Sequence, residues 1–161
     1  MKKQVISALS GLTGVAVGFI AAAALGKTSN AEANKEKARS EKHFAMFLMM
    51  NRWVQVRQRG KSPADYLKEQ NYRTVAIYGM SYIGERLLEE LKDSEIKAAY
   101  GIDRNAESLY ADIEIVTPEE ALEEVDAVIV TSIFFMDEIR RDLSGKISCP
   151  ILSLEDILYE I

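Results

Sequence analysis

Two uninterrupted apolar runs, Val75-Ala76-Ile77-Tyr78 and Ala127-Val128-Ile129-Val130, constrain this chain more than anything else in it. A strand with one face in water alternates apolar and polar residues. A run with no polar break reads instead as a strand covered on both faces, as in a parallel sheet flanked by helices. The stretches between such runs have helical spacing. Strand candidates are Thr74–Tyr78, Ile96–Ile102, Ile113–Val116, Ala127–Val130 and Ile151–Leu152, and helix candidates are Ile83–Lys92, Pro118–Glu123, Phe135–Leu143 and Leu154–Tyr159. Alternating β and α elements predict an α/β domain over 72–161, a single doubly wound parallel sheet of about five strands in the order 3-2-1-4-5 with right-handed crossovers. Thr117-Pro118-Glu119-Glu120 and Ser153-Leu154-Glu155-Asp156 each place an acid three residues past a hydroxyl, the mark of a helix start. The stretch Arg104–Asp112 is short for a full helix and reads as a loop or a single turn.

Upstream, Ser62-Pro63-Ala64-Asp65 reads as an N-cap followed by proline at the first helical position. Before it, Met46, Met49, Met50 and Trp53 recur at i, i+3, i+4 and i+7, one face of an amphipathic helix ending at Gly60. Phe44, Phe47 and Leu48 widen its apolar surface, so core packing and docking on a membrane or partner are both open readings. Together these make 43–71 a helical extension, with His43 as a flanking residue.

The N-terminus is of another kind. Val5 to Leu25 contains no charge, and about 20 such residues span a bilayer core. The stretch exceeds the h-region of a secretory signal. Residues 1–26 are therefore expected to be an uncleaved transmembrane anchor. Ser10, Gly14, Gly18 and Ala22 fall on one ridge, which either admits a helix partner or a second copy, or merely fills a weakly apolar span. Lys27, Lys35, Lys37, Arg39 and Lys42 come after the span, against Lys2 and Lys3 before it. The positive-inside rule places the C-terminal domain in the cytoplasm, as part of a single-pass membrane protein. Residues 27–42 are polar and mixed in charge, a solvated tether. Gly26-Lys27-Thr28 is not a phosphate loop, because Ala21 stands where its first glycine belongs.

Charge narrows the function classes. Of 20 basic residues, Lys2 and Lys3 lie before the apolar stretch, so residues 27–161 carry 18 bases against all 25 acids. An excess of acid is a poor match to nucleic acid, whose affinity comes from neutralising phosphate. One cysteine and one histidine exclude an internal disulfide and a cysteine-rich metal site, and make a serine-type triad improbable.

The candidate site lies just past the first apolar run. Gly79-Met80-Ser81-Tyr82-Ile83-Gly84 approximates the G-x-G-x-x-G turn that cradles phosphate between a strand and a helix, with Ser81 in place of the middle glycine. Gly79 answers the need for a tight turn and Gly84 the need for close helix–strand contact. Ser81 is small and offers a hydroxyl to cap the helix or meet a phosphate. Asp103, 24 residues after Gly79, closes the second strand where an acid grips a ribose diol, and Arg104 beside it suits an adenine face or a 2′-phosphate. Thr131 and Ser132 end the fourth strand on the same sheet edge. The bland alternatives remain: packing glycines, an ordinary Asp-Arg-Asn turn, a pair of helix caps, and a solvated face for Glu119, Glu120, Glu123 and Glu124.

Residues Val75–Leu91, Ala98–Asn105 and Asp126–Ser132 together resemble the Rossmann-like, N-terminal nucleotide-binding half of sugar-nucleotide epimerase/dehydratase-like proteins of bacterial surface-polysaccharide pathways. The resemblance covers roughly 72–158 and implies NAD(P) or a nucleotide-sugar as ligand, with Gly79, Gly84 and Asp103 at nucleotide-contacting positions. Such enzymes use a tyrosine and a lysine four positions later. No Tyr-x-x-x-Lys occurs here, Tyr66 being followed at that distance by Gln70, and no substrate domain is expected beside the fifth strand and its helix. The expectation is a binding module without catalysis. The alternatives are a ligand-free interaction protein and an enzyme subunit completed by another chain.

Overall fold

The computed structural model describes residues 32–161, so the expectations for residues 1–31, including the apolar span 5–25 and its ridge of small residues, lie outside the described residues. Among the described residues no helix is long and apolar enough to cross a membrane. The chain divides into two compact units, Met1–Phe44 and Ala45–Ile161. Of the first, residues 32–44 are helical and exposed up to Phe44.

The second unit opens with helical residues 45–58 (α1). Met49, Trp53 and Val56 on it are buried, while Met46 and Met50 are half-buried. The helix stops because Gly60 takes φ +73, while the Lys61 amide donates back to the Val56 carbonyl at 3.2 Å, a left-handed C-terminal cap. α2 (Pro63–Glu69) starts on Ser62, whose hydroxyl oxygen accepts the Asp65 amide at 3.1 Å and whose O–H donates to the Asp65 carboxylate at 2.6 Å.

The sheet comes next: β1 (Thr74–Tyr78), β2 (Lys97–Ile102), β3 (Ile115–Val116), β4 (Ala127–Val130) and β5 (Ile151–Ser153), all parallel, in the order 3-2-1-4-5. Alternate residues of the apolar runs point to opposite faces. Val75, Ile77, Ala127 and Ile129 meet α1, α2, α3 (Tyr82–Lys92) and α5 (Leu154–Glu160). Ala76, Tyr78, Val128 and Val130 meet Ile139 and Leu143 of α4 (Met136–Leu143). Helices on both faces make the sheet doubly wound, which explains why β1 and β4 have no polar break.

One expected helix is absent. Pro118–Glu123 forms a turn followed by chain without regular secondary structure. The Glu120 carboxylate does accept the Thr117 amide at 2.7 Å, but the Glu120 amide returns to the Thr117 carbonyl at 3.2 Å, which closes a turn and propagates nothing. The physical reason is reach. This segment must pass three strand spacings, about 14 Å, and return to the opposite end of the sheet, while a helix advances only about 1.5 Å per residue. Ten residues between Val116 and Ala127 leave little slack for that. Tyr100 holds the segment down, its hydroxyl donating to the Glu123 carbonyl at 2.7 Å. β3 is also shorter than expected, beginning at Ile115, and the β2–β3 connection contains a single 3-10 turn, Ala106–Ser108.

Candidate ligand site at the carboxyl edge of the sheet

β1 ends at Tyr78, and the chain must reverse toward α3 within a few residues. Gly79 does this at φ +95, a conformation L side chains rarely adopt. It is also pressed from outside, since a β-carbon there would lie 2.6 Å from Thr131 Oγ1. Thr131 is buried, and its hydroxyl donates to the Gly79 carbonyl at 2.7 Å, with the Tyr78 carbonyl at 3.1 Å. The Gly79 amide completes the ladder to β2 by donating to the Ile102 carbonyl at 2.8 Å. At Gly84 a β-carbon would land on the Gly79 carbonyl oxygen. The first turn of α3 thus lies directly on the loop, and that approach needs a glycine.

Ser81 is the N-cap of α3, exposed and extended at φ −80, and its side chain makes no cap hydrogen bond. The first bond of the helix runs from the Glu85 amide to the Ser81 carbonyl at 3.0 Å. The amides of Tyr82, Ile83 and Gly84 are therefore left for a partner from outside, and the helix dipole adds partial positive charge there. Ile83 is buried and contributes only its backbone, whereas the Tyr82 ring is 80% exposed. Glu85, the acid of the first turn, lies 3.8 Å from Arg86.

Asp103 reaches back into the same loop. One carboxylate oxygen accepts the Met80 amide at 2.9 Å and the other accepts the Asn105 amide at 2.9 Å. The expected ribose ligand is thus also the brace of the glycine turn. Each oxygen keeps lone-pair capacity for a hydroxyl donor. Arg104 spans to α4, where its Nη2 donates to Glu138 at 2.7 Å and Asp142 at 2.9 Å. Those two carboxylates raise its pKa further and compete with any phosphate for it. Below it is Tyr78, whose phenol is pushed up chiefly by burial, with Arg104 pulling the other way.

A phosphate group fits the uncapped amides of α3. A ribose diol fits Asp103 only as a further acceptor contact, and a 2′-phosphate at Arg104 would compete with Glu138 and Asp142 for the guanidinium. The turn, Asp103, Thr131 and Ser132 come together at one edge; Arg104 instead faces α4.

Two participants carry no motif in the chain. Met80 is almost fully buried, and it fits because Gly101 is a glycine: a β-carbon there would lie 2.6 Å from Met80 Cγ. The signal was a glycine inside a strand, which marks close approach. Glu138 and Asp142, four apart on one helix face, were the signal for the Arg104 clamp.

Residues 71–150, which hold this whole site, match the family model described as C2185-like, N-terminal. No curated protein and no solved structure matches the chain.

Proposed function

We propose that the domain binds a nucleotide, dinucleotide or nucleotide-sugar through its phosphates and performs no chemistry on it. The observation that carries this reading is the uncapped amino end of α3, packed on the Gly79 turn through Gly84. It lies at the carboxyl edge between β1 and β4, where strand order reverses and open α/β sheets hold ligands. Gly79, Ser81, Tyr82, Ile83 and Gly84 supply the turn and amides, Asp103 the contact to ribose, and Thr131 and Ser132 the opposite wall. Residues 5–25 tether the domain to the membrane from the cytoplasmic side, and the module regulates or scaffolds surface-polysaccharide synthesis. No residue is assigned a catalytic role.

The test is thermal denaturation of the full chain with NAD(H), NADP(H) and UDP-sugars. At least one raises Tm. Ser81→Asp, which caps α3 with its own carboxylate, abolishes the rise while leaving the unliganded Tm intact. If no ligand moves Tm, the reading is wrong.

A second reading, an interaction module without ligand, draws on α1. Phe47, Leu48 and Val54 are exposed on the side away from its core face. Replacing these three by polar residues would then abolish function, while Ser81→Asp would not.

A further inference from the structure

α1 buries Met49, Trp53 and Val56 in the core, and its opposite face differs from those of the other helices. Phe47, Asn51, Val54, Gln55 and Gln58 stand at i, i+4, i+7, i+8 and i+11, with Leu48 beside them, and all six are exposed and uncharged. Phe47 is 64% exposed, Val54 51% and Leu48 42%. The exposed residues of α3 and α4, by contrast, include Arg86, Glu89 and Lys92, and Asp137, Arg140 and Arg141. The two arginines of α1 are committed elsewhere: Arg52 donates to the Leu158 carbonyl at 2.7 Å, and Arg57 lies 3.7 Å from Glu90. Just past the helix, Arg59 and Lys61 are exposed and pair with no acid among the described residues. Residues 42–64 contain no acid at all, in a chain whose net charge is −5. An uncharged, partly apolar face bordered by bases matches a bilayer with anionic headgroups. Phenyl and aliphatic side chains enter its acyl boundary, and arginine and lysine meet lipid phosphate. The amides of Asn51, Gln55 and Gln58 enter the headgroup layer at far lower cost than charges would. Three partly exposed apolar side chains are too few for a standard protein interface, about 800 Å² per partner. A bilayer contact needs less, because a tether supplies the local concentration. Twenty-one residues separate Leu25 from Phe47, a reach of at most about 70 Å.

Resting on the proposed membrane tether, we infer that α1 is a second membrane contact. Its outer face, through Phe47, Leu48 and Val54, lies on the anionic surface of the same bilayer, with Arg59 and Lys61 on headgroup phosphates. The tether sets proximity and this face sets orientation. α4 lies on the opposite side of the sheet and stays in water.

The test places the full chain in phosphatidylcholine vesicles with or without about one third phosphatidylglycerol. Cys149→Ser removes the native thiol, and a fluorophore is attached at Gln55→Cys on α1 or at Arg140→Cys on α4. In the anionic vesicles acrylamide quenches the Gln55 label several-fold less than in the neutral ones, and it quenches the Arg140 label equally in both. Phe47→Gln/Leu48→Gln/Val54→Gln restores quenching at Gln55, and Arg59→Gln/Lys61→Gln restores most of it. Both variants still float with the vesicles through residues 5–25. Equal quenching of the Gln55 label in the two kinds of vesicle, with the chain still floating in alkaline carbonate, overturns the inference and leaves the tether standing. Protection that disappears when the protein is diluted into excess lipid assigns the face to a second copy of the chain, and overturns it too. A chain that does not float in carbonate removes the tether, and the inference with it.

Discussion

Gly84 sits so close to Gly79 that a β-carbon on the helix residue would collide with the loop residue's carbonyl oxygen. In an ordinary helix interior, glycine to alanine stabilises by about 1 kcal/mol. Here the sign reverses. Gly84→Ala forces α3 off the turn and costs about 1–3 kcal/mol, as overpacking does. Urea denaturation of the full chain measures it, with Gly145→Ala as comparison: φ is +80 there but nothing lies within 4 Å of an added β-carbon. A Gly84→Ala chain as stable as wild type would mean that the close approach does not exist.

Thr131 holds the same turn from the β4 side. Thr131→Val keeps the shape and removes the O–H that the Gly79 carbonyl accepts at 2.7 Å. Loss of one partner of a buried hydrogen bond costs about 1–3 kcal/mol. Chemical denaturation reads this loss, and amide exchange at Met80 and Ser81 speeds up if the turn loosens with it.

Much of this fold was legible in the chain. The unbroken runs at β1 and β4 announced a sheet covered on both faces, and the order expected for it, 3-2-1-4-5, is the order found. Gly79 and Gly84 were readable because each answers a backbone need that no other residue meets. Pro118–Glu123 misled because a capping signal is local, while the distance a crossover must span is set by strands far away in sequence. The partners of Arg104 were illegible for a related reason: Glu138 and Asp142 lie 34 and 38 residues on, visible only once α4 packs on the sheet.

The crossover that replaces the expected helix predicts a specific weak point. Tyr100 is buried, and its hydroxyl donates to the Glu123 carbonyl at 2.7 Å. Tyr100→Phe keeps the ring in the core and frees the crossover segment, lowering stability by about 0.5–1.5 kcal/mol. Limited proteolysis then cuts preferentially between Thr117 and Asp126. A variant cleaved no faster there than wild type would show that other contacts restrain the segment.

Glu90 links α3 to α1 and carries a pH dependence of definite sign. One of its carboxylate oxygens accepts the Trp53 indole N–H at 2.7 Å; the other is buried without a hydrogen bond, with Arg57 3.7 Å away. The side chain is 14% exposed, and burial holds its pKa above the ordinary 4.5, opposed by the Trp53 bond and by Arg57. A carboxyl raised in the folded state takes up its proton there before the unfolded chain does. Its contribution to stability therefore increases as pH falls through the folded value and levels off below about 4.5. Asp112, Glu120 and Asp126 are shifted the other way and lose stability over the acid range, so the difference between variant and wild type is the quantity to track. Glu90→Gln keeps an acceptor for the indole and removes the buried charge. At pH 7 it is as stable as wild type or more so, and its advantage shrinks as pH drops toward 4.5. Glu90→Leu leaves the indole N–H unpaired and costs about 1–3 kcal/mol. Trp53 is the chain's one tryptophan, so its fluorescence reports this joint directly in both variants. A Glu90→Gln chain less stable than wild type at pH 7, with the deficit vanishing in acid, would mean that the ionised carboxylate stabilises the α1–α3 joint through Arg57 despite its burial.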